Sequence, residues 1–379
     1  MKINIQKNEL IKILKISEII ISKRNYSSNP IFNFSLLDIK NNDPKIISNN
    51  GNTILQYLIN QEKIEIFEEG KILINPKTLL EIANKLNDEW IELNKIEETV
   101  LIIKTNKFNA QINLINEFEY PITNFDNYNN EKINFTINDI DQIIQKVSWS
   151  TLPITNEIKP ICGVYIDSEI NTNKITCLGT DSYKITYLTL ENKNNSNFNF
   201  IIDNTTLKIM SELYKWTNDS NFKLSLNEMN KLFIENENLI LIDKVMYGEY
   251  PKLVLNNAFN INSNIVINVL KKDLQSALER GKIFVNSERT PLVLINIENN
   301  KMFLEFSSYE FGSSKEEINI QKISGNNLKI LLNVNFFLNL INTIDVDNVE
   351  LHFENDTKPV VIYNDNTNFK ELLLPIKNN

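Results

Sequence analysis

INIQKNELIKIL at residues 3–14, INFTINDIDQII at 133–144 and INVLKKDLQSAL at 267–278 are three renderings of one pattern, set 130 and 134 residues apart. Each opens as an alternating strand, turns at polar or acidic residues and continues as an amphipathic helix. In each, an acidic residue (Glu9, Asp139, Asp273) stands just before an apolar one (Leu10, Ile140, Leu274). A carboxylate there suits a helix N-terminus, where unpaired amides and the helix dipole favour negative charge. Apolar residues then recur at Leu10, Ile13 and Leu14, at Ile140, Ile143 and Ile144, and at Leu274, Ala277 and Leu278. That spacing draws one buried stripe along each helix.

Two further landmarks repeat at the same interval. PIFNFSLLDI begins at Pro30, PICGVYIDSE at Pro160 and PLVLINIENN at Pro291, and each reads as a strand opened by a proline. ILINPKTLLEIANKL from Ile72, FIIDNTTLKIMSEL from Phe200 and ILLNVNFFLNLINTI from Ile330 each read as a second strand and helix, with Asn75, Asp203 and Asn333 at the cap. Order and spacing persist across all three, so the chain reads as three copies of one domain, over residues 1–128, 129–257 and 258–379. The junctions are expected in the asparagine-rich stretches 124–132 and 256–264. Segments such as TVLIIKTNKFNAQINLI and KITCLGTDSYKITYLTL alternate apolar and polar residues, as antiparallel strands with one wet face do. The expected class is α+β, with two helices per copy lying on mostly antiparallel sheet.

Composition narrows the chemistry. The 379 residues carry 39 Lys and Arg against 48 Asp and Glu, a net charge of −9, with one histidine, two cysteines and eight glycines. That inventory speaks against a Cys/His zinc site and against glycine-rich nucleotide loops, and no cofactor or metal is expected. GxxxxGK[ST], GxGxxG, GxSxG and HExxH motifs are absent. Glu316 and Glu317 are strand neighbours that point to opposite faces, and His352 alternates with apolar residues, so neither suggests an acid–base pair. No catalytic residue is expected. Lacking an apolar leader or an 18-residue apolar run, the chain is expected in the cytoplasm, with Cys162 and Cys177 as reduced thiols.

Charge is sorted by element. The six expected helices, at about 7–24, 76–86, 138–148, 204–215, 271–282 and 334–344, hold fourteen basic and eight acidic residues; the remainder of the chain carries −15. A basic helical surface within an acidic protein points to phosphates, and without a base-reading motif the contact would be sequence-independent and salt-sensitive. A protein-only interaction scaffold would have had neutral helix faces, and an enzyme working at a domain interface would need paired acids in a cleft.

Local motifs then converge on a family. Thr180-Asp181-Ser182-Tyr183-Lys184-Ile185 resembles the T-D-G-[HY]-R-L segment of the bacterial sliding clamps, the DNA polymerase III beta subunits. Lys159-Pro160-Ile161-Cys162-Gly163-Val164 is similar to their R-P-x-L-x-G-V run. Tyr247-Gly248-Glu249-Tyr250-Pro251-Lys252-Leu253 is similar to their G-x-[FY]-P-D segment. Leu372-Leu373-Leu374-Pro375-Ile376-Lys377 stands where the family ends in an apolar-apolar-M-P-[MV]-R run. The resemblance spans essentially the whole chain. It implies a non-catalytic processivity factor: a head-to-tail homodimer of three clamp domains per chain, closed into a ring around duplex DNA.

The partners so implied are the polymerase III alpha subunit, the clamp-loader complex and other proteins carrying clamp-binding motifs. The resemblance also implies a peptide pocket. Its middle-domain wall would be Ile161, Thr180, Ser182, Tyr183, Lys184, Ile185 and Pro251, with Val254 or Leu255 nearby. The last domain would add Asn333, Phe336, Leu372, Leu374, Pro375 and Ile376. DNA would face Lys12, Lys15, Lys23 and Arg24 on the first helix, Lys77 and Lys85 on the second, and Lys146 on the third. It would also face Lys159, then Lys208 and Lys215, and finally Lys272, Arg280 and Lys282. Ser182 replaces the usual glycine, Lys184 the arginine and Leu374 the frequent methionine, so peptide preference is expected to differ from the family norm.

Overall fold

The computed structural model describes residues 1–23, 29–121, 124–125, 132–155, 157–169, 173–192, 197–227, 229–363 and 368–377. Arg24 and most of the first expected junction, 124–132, lie outside them. Seven α-helices occur among the described residues: α1 (Lys7–Ile21), α2 (Pro76–Lys85), α3 (Ile137–Lys146), α4 (Asn204–Thr217), α5 (Lys252–Ala258), α6 (Lys271–Val285) and α7 (Val334–Asn342). Six of these are the expected helices. The seventh, α5, runs into the stretch 256–264 that reads as a linker, because Pro251 opens a turn and Leu255 is drawn into an apolar cluster beneath it.

Local chemistry explains the ends. Asn75 caps α2 by accepting from Thr78 N at 3.1 Å, with Pro76 at the first helical position. Asn333 accepts from Asn335 N and Phe336 N and so starts α7 at Val334. Thr136 and Asp139 form a reciprocal capping pair at α3: Thr136 N donates to Asp139 Oδ2 at 2.9 Å and Asp139 N to Thr136 Oγ1 at 3.2 Å. The proline landmarks are corrected in one respect. Pro30–Asn33 and Pro160–Cys162 are 3₁₀ turns, to which the fixed φ of proline is suited, and the strands follow at Ser35–Ile39 and Val164–Glu169. Only Pro291 stands immediately before its strand, Leu292–Glu298.

The chain divides into two compact units, residues 1–141 with 205–245, and residues 142–204 with 246–379. All strand pairing within named strands is antiparallel among the described residues. The first unit holds a five-stranded sheet in the order Ile64–Glu68, Lys2–Gln6, Trp90–Ile96, Val100–Lys104, Asn109–Asn113. It also holds an eight-stranded sheet running from Ile133–Thr136 to Gly70–Ile74. At the centre of the larger sheet, Leu239–Lys244 pairs with Ile54–Leu58, placing Leu241 opposite Leu55.

The second unit is built to the same plan. Its four-stranded sheet runs Gly312–Asn319, Lys301–Ser308, Leu292–Glu298, Leu328–Asn333. Its nine-stranded sheet runs from Phe198–Ile202 to Gln321–Ser324, and at its centre Phe369–Leu373 pairs with Lys184–Glu191. Each unit therefore contains one central seam where strands distant in sequence meet. No helix among the described residues is long and apolar enough to cross a membrane.

Candidate functional site

The pocket residues named from sequence all belong to the second unit, around its seam. Thr180 ends a strand, and its hydroxyl donates to Lys184 O at 2.8 Å while accepting from Ser182 N. Asp181 Oδ1 accepts from Tyr183 N at 2.9 Å and Lys184 N at 3.0 Å, closing a tight turn. Within that turn Ser182 adopts φ 79°, the left-handed region in which a side chain is strained; this is the physical reason a glycine suits the position. The turn pushes Tyr183 outward, 57% exposed, and returns Lys184 inward.

Lys184 is 4% exposed and ion-paired with Asp181, and its ammonium stands 4.3 Å from the Phe336 ring centre and 5.5 Å from that of Trp149. Its charge is therefore spent inside the protein rather than offered to a ligand. Asn333 is likewise committed, as the cap of α7.

The apolar side chains separate into a floor and a rim. Ile185 and Leu372 are register partners, and with Leu255, Leu178, Val361 and Phe259 they form one buried cluster. The chain then leaves the sheet as a tail: Leu374 N donates to Tyr183 O at 2.9 Å and Ile376 N to Leu331 O at 2.8 Å. That tail leaves Leu374 at 36% exposure, with Pro375 and Ile376 half-buried. Pro251 and Ile161 are half-buried, and Val254 is 70% exposed on α5. Tyr250, one residue before Pro251, stacks on Tyr165 at 4.9 Å and donates its hydroxyl to Leu178 O, tying α5 to the strands beside the seam.

Gly248 holds this loop close to the proline run; a Cβ there would lie 2.4 Å from Pro160 Cγ, at a φ of 120°. Sequence reasoning missed Asp181 as the pin of the turn, although it sits inside the quoted motif. It also missed Trp149, which carries no sequence signal.

The expected DNA-facing cations fall into two groups. Lys15 pairs with Glu18, Lys23 with Glu212, Lys146 with Asp345, and Lys159 with Glu157. Arg280 meets Glu316 through two hydrogen bonds, of 3.0 and 2.7 Å, and these hold the Glu316 carboxyl below the usual carboxylate range. Lys77, Lys85, Lys208, Lys215 and Lys272 are exposed and make no ion pair among the described residues. Lys282 is half-buried, and Lys12 lies over the Tyr57 ring at 5.3 Å. The second group presents available positive charge; the first has largely neutralised its own.

A seam-joined α+β architecture with cations along its helices defines a DNA clamp fold. The DNA polymerase III beta chain of Streptococcus pneumoniae superposes over 100% of both chains with a TM-score of 0.92 and 18% identity. The DNA polymerase sliding clamp of Bacillus subtilis does so with a TM-score of 0.89 and 19% identity. In sequence, the beta sliding clamp of Mycoplasma capricolum subsp. capricolum is 28% identical over 356 residues, 92% of each chain. Residues 1–130 match the N-terminal domain of the DNA polymerase III beta subunit family and residues 257–377 its C-terminal domain. The chain belongs to that family, and its function is that of a polymerase processivity clamp.

Proposed function

We propose that two copies of this chain close head to tail into a ring of three clamp domains each (1–128, 129–257, 258–379), which encircles duplex DNA and tethers the replicative polymerase. The position of the seams supports closure. The strand pairs of the two seams, Ile54–Leu58 with Leu239–Lys244 and Lys184–Glu191 with Phe369–Leu373, stand one 130-residue repeat apart. One repeat beyond Lys184–Glu191 falls on Gly312–Asn319, and one repeat before Leu239–Lys244 falls on Asn109–Asn113. Both are edge strands of their sheets, with open backbone groups along one side. Antiparallel pairing of one protomer's Gly312–Asn319 with its partner's Asn109–Asn113 would repeat the seam twice more and close the circle. Phe311, 55% exposed, precedes the first edge, and Ile283, 72% exposed, lies one turn beyond Arg280 on α6, the helix tied to that edge through Glu316.

Within this ring the unpaired lysines on α1, α2, α4 and α6 supply phosphate contacts weak enough to slide. The groove around Tyr183, Val254 and Leu374 receives an apolar peptide from the polymerase alpha subunit, the clamp loader or other proteins with clamp-binding motifs. Polymerisation belongs to the partner, in the cytoplasm, and the ring supplies retention.

The test is mass and topology. Sedimentation should give about 88 kDa, twice the 44.1 kDa chain, and Ile283→Asp should return it to the single-chain mass. Once loaded, the wild-type ring should stay on a nicked circle and be lost when the circle is cut. A single-chain mass for the wild type at micromolar concentration would overturn closure.

A further inference from the structure

The seam of the second unit contains an ionisable side chain to which neither ring closure nor docking assigns a role. Glu371 lies mid-strand in Phe369–Leu373, 0% exposed and directly opposite Thr186. The charged groups packed on this face are Lys146 of α3, which pairs with Asp345 and covers the Phe369 ring, and Lys184, which pairs with Asp181. Each cation already has its counter-charge, and α7, which brings Thr343 to the site, carries no charge of its own.

Counting hydrogens favours one form of the carboxyl. Thr343 Oγ1 lies 2.7 Å from Leu340 O and 2.6 Å from Glu371 Oε2. A hydroxyl has one hydrogen, and a carbonyl can only accept. Leu340 O is in the last turn of α7, and Ile344 N, its helical donor by position, is bonded to Ile341 O instead. The Thr343 hydrogen is therefore the one available to Leu340 O. With that hydrogen on Leu340 O, the 2.6 Å approach of Thr343 Oγ1 to Glu371 Oε2 is bridged by a hydrogen from the carboxyl. The other carboxyl oxygen, Oε1, and the facing Thr186 Oγ1 are both buried and make no hydrogen bond of good geometry, although the Trp149 and Thr186 side chains stand beside the carboxyl. Burial pushes this carboxyl well above its ordinary range, outweighing the Thr343, Trp149 and Thr186 side chains and the Lys146 charge, which pull it down.

We infer that Glu371 is a neutral carboxylic acid in the folded protein, donating its proton to Thr343 Oγ1, and that it makes this seam a joint that loosens as pH rises. In the unfolded chain a glutamate ionises near about 4.3. Between that value and the raised folded one, the folded state holds one more proton than the unfolded state. Stability therefore falls as pH rises through the interval, and the unfolding equilibrium constant grows by up to about tenfold per pH unit.

Glu371→Gln keeps a donor for Thr343 and removes the titration. In the full-length protein at neutral pH, infrared difference spectroscopy against that variant should show a protonated-carboxyl C=O band in the wild type alone. Urea unfolding from about pH 5 to about pH 8 should show the wild type losing stability relative to the variant by up to one proton's worth. A missing band or parallel pH profiles would overturn the inference. The same band, followed in wild-type protein carrying isotope-labelled glutamate, tests the point if the variant does not fold.

Discussion

At the seam of the first unit Leu55 faces Leu241; at the same repeat position in the second unit Thr186 faces Glu371. All four residues are buried, and the backbone around them is alike. Asn50 Oδ1 accepts from Asn52 N at 3.1 Å and Thr53 N at 2.8 Å, as Asp181 Oδ1 does from Tyr183 N and Lys184 N. Gly51 at φ 88° occupies the place of Ser182 at φ 79°. What changes is the rim. Asn52, whose amide donates to Asp243, stands where the second unit has the exposed Tyr183, and Lys244 stands where it has Leu374. One turn and one ladder thus make a polar, self-satisfied edge in one unit and a rim of exposed apolar side chains in the other.

The comparison can be broken most sharply at the turns. Asp181→Ala removes the counter-charge of the buried Lys184 and should cost about 3–5 kcal/mol in urea unfolding. Asn50→Ala removes only neutral hydrogen bonds and should cost about 1–3 kcal/mol. Equal losses would mean that the ion pair contributes nothing specific to its seam.

The floor and rim of the groove should separate next. Leu372→Ala opens a cavity in the cluster with Ile185 and should cost about 2–5 kcal/mol of stability. Leu374→Ala should leave stability within about 0.5 kcal/mol and weaken polymerase-peptide binding by about 1–2 kcal/mol, measured by calorimetry. Unchanged peptide affinity would remove Leu374 from the site. The smallest effects should be opposite in sign: Ser182→Gly should gain, and Gly51→Ser lose, about 0.5–1 kcal/mol, as left-handed backbone is relieved or imposed.

Much of this was legible in advance for one reason: local patterns repeat, and repetition reinforces a weak periodicity. Six helices and their strand partners follow from apolar spacing plus caps such as Asn75 and Asn333. The seams were not legible, because the pairing of Leu241 with Leu55 or of Leu372 with Ile185 is set by tertiary packing between residues far apart in the chain. Helix α5 was hidden by its asparagines, since local propensity there is overridden by Leu255 entering a core. The groove residues were named through motif resemblance alone. Burial then divides that group, taking Lys184, Ile185 and Leu372 inside and leaving Tyr183, Val254 and Leu374 outside, a distinction no linear pattern carries.

The edge strand Gly312–Asn319 has a consequence for any cell that makes the protein in quantity. A naked ladder attracts any extended polypeptide, and unassembled chains are open to aggregation through it. Lys315, Glu316 and Glu317 sit along that strand as gatekeepers, each salt-bridged within its own chain. Hydrophobic strays then meet a bristle of ions. Resistance to stray strand pairing rests on those three side chains.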